Sequence, residues 1–233
     1  MNYENRHVVV TGGTGALGTA VLSALLDAGA ICHLPYRDAK ALDRFPHRDD
    51  ARVSLVAAGD LADEAAVTRF YEGLGQLWAS IHLAGTYAGA PIAQSDRNLL
   101  MGQLESNLVS AYLCSRAAAI RLRRLGSAGR IVNVAARQAL EPRLGNGSVA
   151  YTIAKAGVAA LTTSLGAELA GDGILVNAVA PSIMDTPGNR AAMPNARFET
   201  WPKVDEVAAT ILFLASPQNT VTRGAVVPVY GKA

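Results

Sequence analysis

The sequence has little of three things: cysteine, net charge and long apolar runs. Its 233 residues include only two cysteines, Cys32 and Cys114, which are too few for a disulfide framework and lack the spacing of a metal site. The formal net charge of +2 argues against a dedicated nucleic-acid-binding protein, which should carry a concentrated basic face. The longest apolar candidate, residues 207–215, is far shorter than the roughly 18 residues that a membrane span requires. We therefore expect no metal, no nucleic-acid partner and no membrane span.

The composition favours one folded domain in a reducing compartment. The first residues, MNYENRHVVV, do not have the layout of a signal peptide, and together with the scarce cysteines this favours a cytoplasmic protein. Apolar residues make up 50% of the chain and charged residues 17%, so the chain can bury a large core rather than remain disordered. Because domains average about 100–200 residues, we expect residues 1–233 to form a single domain.

Short runs rich in β-branched residues alternate with helical segments along the whole chain. Such runs, bounded by Gly, Asp or Pro, are typical of buried parallel strands, and their alternation with helices is typical of a parallel sheet covered on both faces. We predict an α/β fold, a single doubly wound domain with a seven-stranded parallel sheet. The predicted strands are 7–11, 31–35, 53–57, 80–83, 130–134, 174–178 and 226–229, and the predicted helices are 16–28, 39–45, 63–74, 97–125, 149–170 and 204–215.

One segment, residues 182–202, breaks this alternation. It contains Pro187, Pro194 and Pro202 and shows no clean periodicity. A loop of this length in a compact domain is usually functional. We therefore predict that residues 182–202 form an irregular loop that contacts the substrate.

The first predicted strand runs into the glycine-rich turn TGGTGALG, residues 11–18, which leads into a predicted helix. Glycines at such a place permit a tight turn and a close approach of the backbone to a pyrophosphate, and the helix N-terminus supplies free N–H groups and partial positive charge. A glycine-rich string can also be a purely structural turn. Its position between a strand and a helix favours dinucleotide binding.

Tyr151 and Lys155 are the clearest candidates for chemistry. They lie four positions apart in a predicted helix, which places both side chains on one face. A nearby ammonium group lowers the pKa of a tyrosine because it favours the phenolate. We therefore predict a lowered pKa for Tyr151 and proton exchange with a substrate near neutral pH.

These motifs resemble those of the short-chain dehydrogenase/reductase family. TGGTGALG is similar to the family's TGxxxGxG turn, with Ala16 at the middle glycine, and residues 151–155 (YTIAK) are similar to its YxxxK motif. The resemblance implies an NAD(P)H-dependent reductase in which Tyr151 is the acid and Lys155 lowers its pKa and holds the ribose. It also implies that Asn107 positions a proton-relaying water, whereas the alternative is a polar residue on an exposed helix face. Residues 130–134 and 151–168 resemble 3-oxoacyl-carrier-protein reductases.

The same resemblance implies a set of cofactor contacts. Arg37 stands at the end of the second strand, near the place where NAD-selective relatives have an acidic residue, and a guanidinium there favours NADP(H) over NAD(H); the alternative is a surface arginine paired with Asp38. Asp60 matches the acidic position at the adenine and could also be a helix N-cap. The other implied contacts are Gly12, Thr14, Gly15, Leu17, Gly18, Leu61, Ala84, Gly85, Tyr151, Lys155, Pro181, Ile183 and Thr186.

The chain departs from the family pattern at two further positions. Ala136 stands where the family has a serine that hydrogen-bonds the substrate oxygen, and Leu83 stands where it has an asparagine. Loss of one donor to a developing oxyanion typically costs about 10²–10³ in rate. A nucleotide-binding pseudoenzyme and a non-redox isomerase or lyase therefore stay as alternatives. His82, beside Leu83, is interpreted as a core or strand-end histidine.

A narrower resemblance concerns the predicted substrate loop. Residues 184–194 (MDTPGNRAAMP), with Phe198 and Trp201, are similar to the corresponding stretch of dihydropteridine reductases, which reduce a quinonoid ring and need no oxyanion donor. We expect a small carbonyl, imine or quinonoid substrate. The expected substrate contacts are Tyr87, Ala136, Gln138, Met184 and Trp201. The resemblance to the wider family also implies a dimer or tetramer, formed through the two long helices and the C-terminal strand.

Overall fold

The structure is a computed structural model that describes residues 1–233. Its strands are β1 (His7–Thr11), β2 (Ile31–Tyr36), β3 (Val53–Ala57), β4 (Ala79–His82), β5 (Gly129–Val134), β6 (Ile174–Pro181) and β7 (Val226–Val229). They form one seven-stranded sheet in the order β3-β2-β1-β4-β5-β6-β7, and every neighbouring pair is parallel. The predicted doubly wound sheet is confirmed.

Helices cover both faces of this sheet. They are α1 (Ala16–Asp27), α2 (Glu64–Glu72), α3 (Arg97–Gln103), α4 (Ser110–Arg124), α5 (Arg137–Leu140), α6 (Val149–Glu168), α7 (Pro187–Ala192) and α8 (Val204–Ala215). None of them combines the length and apolar character of a membrane-spanning segment. Residues of α1 and α8 share one buried cluster, and residues of α2 and α4 share another.

Strand β1 shows why the sequence builds two cores. Val8 and Val10 pack in the cluster that contains α1 and α8, whereas Val9 packs in the cluster that contains α2 and α4. Successive side chains of a strand point to opposite faces, so a strand covered on both sides carries apolar residues at adjacent positions. The runs of adjacent apolar residues in the sequence are the result.

Three predicted elements differ from the structure in more than the position of their ends. Predicted helix 39–45 is only a short 3₁₀ turn, Ala39–Leu42, which begins where the Asp38 side chain accepts a hydrogen bond from the Lys40 N–H. Predicted helix 97–125 is divided into α3 and α4 by a π-helical segment, Leu104–Val109. A π-helical segment inside a helix is frequently found at a functional site.

The third difference is the segment 182–202, which is not irregular throughout. Helix α7 begins at Pro187, and the Thr186 hydroxyl accepts a hydrogen bond from the Asn189 N–H. Threonine is a good N-cap and proline is favoured in the first turn of a helix, so these two residues start the helix. A 3₁₀ turn, Phe198–Thr200, follows.

The strand order places a crevice at the centre of the sheet. The chain crosses from β3, at one edge, to β4, which pairs with β1 on the side opposite β2. In open α/β sheets, ligands bind at the carboxyl ends of the strands where the strand order reverses. Here that point lies between the ends of β1 and β4, at Thr11 and His82.

Candidate active site

A cleft at this edge of the sheet consists of two adjoining hollows. One has a volume of about 460 Å³ and is lined by Tyr151 and Lys155; we call it the Tyr151 hollow. The other has a volume of about 520 Å³ and is lined by Arg37 and Asp60; we call it the Arg37 hollow. Both are lined by Gly12, Gly15, Leu83, Gly85 and Thr86. The cleft is therefore continuous across the glycine-rich turn.

The glycine-rich turn requires glycine at specific positions. Gly12 has a φ of +66°, and a Cβ atom added to it would lie 2.7 Å from the Ala84 backbone nitrogen. A Cβ atom on Gly18 would lie 2.3 Å from the Gly12 carbonyl oxygen. Gly15, the N-cap of α1, offers no side-chain acceptor to the first-turn N–H groups. These N–H groups are thus available to an anion, which fits a pyrophosphate.

In the Arg37 hollow, the predicted cofactor residues lie together. The alternative interpretations, that Arg37 pairs with Asp38 and that Asp60 is a helix N-cap, are both wrong. The Arg37 guanidinium pairs with Asp60, at 3.5 Å between Nη1 and Oδ2, and not with Asp38, which starts a 3₁₀ turn. Asp60 accepts a hydrogen bond from the Ala62 N–H, and the N-cap of α2 is Asp63. The lining also includes Thr14, Leu61 and Ala84.

Lys155 is buried beside the Tyr151 hollow. Its Nζ donates to the Val134 carbonyl oxygen at the end of β5, at 2.8 Å, and only 6% of the residue is exposed. Burial lowers the pKa of Lys155 to about 8, because removal from water disfavours the charged form. The amine can therefore gain or lose a proton close to neutral pH.

Asn107 lies in the π-helical segment and is buried, so the alternative of an exposed helix face is wrong. Its Nδ2 donates to the carbonyl oxygens of Thr86 at 2.9 Å and Gln103 at 3.1 Å, but its Oδ1 has no partner. A Cβ atom built on Gly85 would lie 2.5 Å from that Oδ1 and 3.6 Å from Lys155 Nζ. A buried acceptor without a partner costs about 1–3 kcal/mol, so this oxygen is suited to a donor from the cleft.

The prediction that Tyr151 has a lowered pKa is wrong. Burial, with a further contribution from Tyr87, raises the pKa of Tyr151 to about 12. Lys155 Nζ lies 5.8 Å from the centre of the Tyr151 ring and donates instead to the Val134 carbonyl oxygen. The loss of solvation by the phenolate therefore outweighs the attraction of the ammonium group, and the phenol keeps its proton at neutral pH.

The predicted substrate residues mostly line the Tyr151 hollow. Tyr87, Ala136, Gln138 and Met184 belong to its lining, as do Met193 and the predicted cofactor residues Leu17, Pro181, Ile183 and Thr186. Trp201 does not. It is buried and packs against the Phe198 ring, with 5.0 Å between ring centres, so its indole stabilises the loop and does not face the hollow.

His82 belongs to a buried polar network below the cleft, which confirms its interpretation as a core histidine. Its Nδ1 lies 2.8 Å from Asn133 Oδ1 and its Nε2 lies 2.8 Å from Ser80 Oγ, which in turn lies 2.7 Å from the Tyr71 hydroxyl. Burial lowers the pKa of His82 to about 4. The neutral ring therefore donates from Nδ1 and accepts at Nε2. This network leaves no local signal in the sequence, since Tyr71 and Asn133 are far apart along the chain.

Comparison with known proteins supports one family. Residues 6–197 match the sequence model of the family described as short chain dehydrogenase. The chain is 32% identical to galactitol 2-dehydrogenase from Rhizobium johnstonii over 97% of its own length and 94% of that protein. It is 29% identical to the rhamnolipids biosynthesis 3-oxoacyl-(acyl-carrier-protein) reductase from Pseudomonas aeruginosa, over 97% of this chain and 95% of that protein.

A solved structure gives the same result. An oxidoreductase of the short chain dehydrogenase/reductase family from Burkholderia thailandensis has a TM-score of 0.87 to this chain. The two are 28% identical, and the match covers 97% of this chain and 92% of the other. The match therefore spans both the cleft and the sheet that positions it.

Proposed function

The chain belongs to the short-chain dehydrogenase family and is an NAD(P)-dependent oxidoreductase of that type, and from this we propose a reaction. The protein reduces a small carbonyl, imine or quinonoid compound, with Tyr151 as the proton donor and NADPH as the preferred cofactor. One observation carries the proposal. The Tyr151 phenol, Lys155 and the unpaired Asn107 Oδ1 lie at one end of a continuous cleft whose other end is lined by Arg37.

The residues of the Arg37 hollow are suited to the adenosine end of the cofactor. The N–H groups in the first turn of α1 hold the pyrophosphate, and Asp60 and Leu61 contact the adenine. Arg37 is 73% exposed at its side chain, so the guanidinium is free to turn from Asp60 to a 2′-phosphate, with which it forms a charge-assisted pair. This supports NADPH, and NADH is the alternative cofactor.

The residues of the Tyr151 hollow are suited to the nicotinamide end. Lys155 holds the ribose, and Ile183 and Thr186, at the start of the loop, contact the carboxamide. NADPH, when bound, supplies the hydride. The proton comes from Tyr151, whose pKa of about 12 keeps it protonated at neutral pH and able to donate to the substrate oxygen or nitrogen.

A route for replacing that proton runs through Lys155 and Asn107. The pKa of Lys155, about 8, is close to neutral, so the ammonium group can pass a proton on and recover it. Asn107 Oδ1 has no partner in the protein and can accept a hydrogen bond from a relaying water. The proton lost by Tyr151 is then restored from solvent through groups of this chain.

The substrate class follows from the alanine at position 136. Ala136 lines the hollow but has no hydroxyl that could stabilise an oxyanion. A carbonyl substrate therefore depends on Tyr151 as its donor, whereas imines and quinonoid rings that are protonated on nitrogen need no second donor. The resemblance of residues 184–194 to dihydropteridine reductases supports the same class. Met184 and Met193 of that loop form part of the wall.

The chain also has features of an oligomer, and we propose that it forms a dimer or tetramer. Tyr112 on α4 and Ile153 on α6 are about half exposed, and large apolar side chains on an exposed helix favour association. We further propose that residues 1–233 act as one domain and that residues 182–202 contact the substrate. Light scattering coupled to gel filtration measures the assembly directly.

The function is tested with a panel of aldehydes, imines and quinones, each supplied with NADPH and with NADH. We expect oxidation of NADPH by at least one panel member, and a loss of turnover of about 10²–10⁴-fold in Tyr151→Phe with NADPH binding retained. The control is Tyr3→Phe, which removes the same hydroxyl group from a buried tyrosine outside the cleft. Turnover retained in Tyr151→Phe would remove the proposed acid.

The alternatives give different results in the same assay. Binding of NADPH without oxidation by any panel member indicates a nucleotide-binding pseudoenzyme, which the alanine at position 136 would explain. Product formed without a change in cofactor absorbance indicates an isomerase or lyase.

A further inference from the structure

The charged side chains of the cleft are concentrated at one end. Arg37, Asp38, Asp60 and Glu105 line the Arg37 hollow. The lining of the Tyr151 hollow contains no Asp, Glu, Arg or His, and Lys155 is its one basic side chain. Lys155 is nearly fully buried and its Nζ donates to the Val134 carbonyl oxygen. Apart from Lys155, a substrate beside Tyr151 therefore meets no charged side chain.

Two arginines near the Tyr151 hollow are already paired. Arg137 binds Glu141, with 3.1 Å between Nε and Oε1, and its guanidinium packs over the Tyr230 ring. Arg190 binds both carboxylate oxygens of Asp185, at 2.6 and 2.8 Å. To recruit either guanidinium, a substrate carboxylate or phosphate would have to displace an existing partner. Neither arginine belongs to the lining of the Tyr151 hollow, so neither faces a substrate there.

The groups that the Tyr151 hollow does offer are neutral. Tyr87 is 67% exposed, and its ring meets the Tyr151 ring edge-on, with 5.0 Å between centres and 75° between planes. The Gln138 side chain lines the hollow and makes no hydrogen bond within the protein. Met184 and Met193 complete the wall. An exposed aromatic face, two thioethers and a free amide suit a planar, uncharged ring that carries a polar atom.

We propose that the Tyr151 hollow selects uncharged, planar substrates over carboxylate- or phosphate-bearing analogues, and that Tyr87 determines the preference for a ring. This proposal rests on the proposed reductase function and names its substrate class. An anionic group there loses its hydration, and the one basic side chain of the lining, Lys155, already donates to the Val134 carbonyl oxygen. Tyr87, by contrast, is covered by a ring that packs on its exposed face.

Matched aldehydes test the selection against charge. Benzaldehyde, methyl 4-formylbenzoate and 4-formylbenzoate share one ring and one reacting group, and only the last carries a charge. We expect kcat/KM for both uncharged compounds to exceed that for the carboxylate by at least about 100-fold. Equal kcat/KM for the ester and the carboxylate would overturn the proposal.

Ligand binding keeps the proposal testable without turnover. Quenching of the fluorescence of enzyme-bound NADPH measures the Kd of the alcohol products, benzyl alcohol, methyl 4-(hydroxymethyl)benzoate and 4-(hydroxymethyl)benzoate. We expect the ester to bind at least about tenfold more tightly than the carboxylate, and equal affinities would refute the selection. If the preference in binding holds but no NADPH is oxidised, the reductase function fails and the selection for uncharged ligands stands.

Two residues of the wall provide the decisive variants. Gln138→Arg adds an unpaired guanidinium and should raise kcat/KM for 4-formylbenzoate relative to its ester by about tenfold or more, whereas Gln138→Met, the uncharged control, should not.

Tyr87→Ala should raise KM for benzaldehyde about 3- to 10-fold without a matching change in KM for butanal, and Tyr87→Phe should keep the wild-type KM. The control is Phe213→Ala on α8, where the side chain is 44% exposed and lies outside the cleft. No change in the ratio of benzaldehyde to butanal in Tyr87→Ala would refute the role of Tyr87.

Discussion

Acidification should destabilise the protein through His82. The folded chain holds His82 nearly fully buried and neutral, with its pKa lowered to about 4 from an ordinary 6.5. Between these two values the unfolded chain binds a proton that the folded chain does not. Stability rises with pH wherever the unfolded state binds more protons, so this contribution is complete above about pH 7 and is lost as the pH falls towards 4.

The magnitude follows from the two pKa values. At 1.36 kcal/mol per pKa unit, the free energy of unfolding should fall by about 2 kcal/mol between pH 8 and pH 5, and by about 3 kcal/mol at pH 4. His7 Nδ1 lies 2.9 Å from His33 Nε2, and burial lowers the pKa of both histidines. They add to the loss in the same direction.

Urea unfolding followed by circular dichroism at pH 8, 6.5 and 5 measures the effect at a fixed protein concentration. His82→Asn should be less stable than wild type at pH 8, because the buried network loses hydrogen bonds, but its stability should depend less on pH by about 2 kcal/mol over this range. His47→Asn, a change at a partly exposed histidine, is the control. If His82→Asn and wild type lose the same free energy between pH 8 and pH 5, the reasoning is refuted.

Three further variants probe the cleft. Arg37→Glu should raise the Kd for NADPH at least about tenfold while leaving that for NADH unchanged or lower, as measured by fluorescence titration; an equal change for both cofactors would contradict the assignment of Arg37. Gly12→Ala should abolish nucleotide binding and lower the melting temperature, since the added Cβ would lie 2.7 Å from the Ala84 nitrogen; normal binding would contradict the close packing. Asn107→Ala should lower kcat about tenfold or more at unchanged Kd for NADPH, as stopped-flow kinetics would show; an unchanged kcat would exclude a relay through Oδ1.

The parts of the fold that follow from local chemistry could be predicted. Glycine is required where φ is positive and backbones approach closely, so the turn at Gly12 is visible in the sequence. The four-residue spacing of Tyr151 and Lys155 is a property of any helix. The seven strands were also predictable, because burial on both faces leaves a run of apolar residues that a single sequence displays.

The parts that depend on long-range packing could not be predicted. The raised pKa of Tyr151 results from burial and from Tyr87, which is far away in sequence. The partner of Arg37 proved to be Asp60 and not its neighbour Asp38, because β2 and β3 bring their ends together. Asn107 gave no signal of its unpaired oxygen. The N-cap and proline at the start of α7 were visible in the sequence. The helix has only six residues, which is too short to show a helical period of apolar residues.

The π-helical segment Leu104–Val109 limits where this enzyme can tolerate the deletion of a residue. Its wider winding accommodates more residues per turn than the regular helices on either side. Deletion of one residue there would let the whole stretch wind uniformly, and side chains before the deletion would rotate by about 100° relative to α4. The Asn107 amide could then no longer reach the Thr86 carbonyl oxygen while its Oδ1 stays beside Gly85. The shortened chain would gain a more regular helix and lose the proposed proton route, so stability and turnover would impose opposite demands on these six positions.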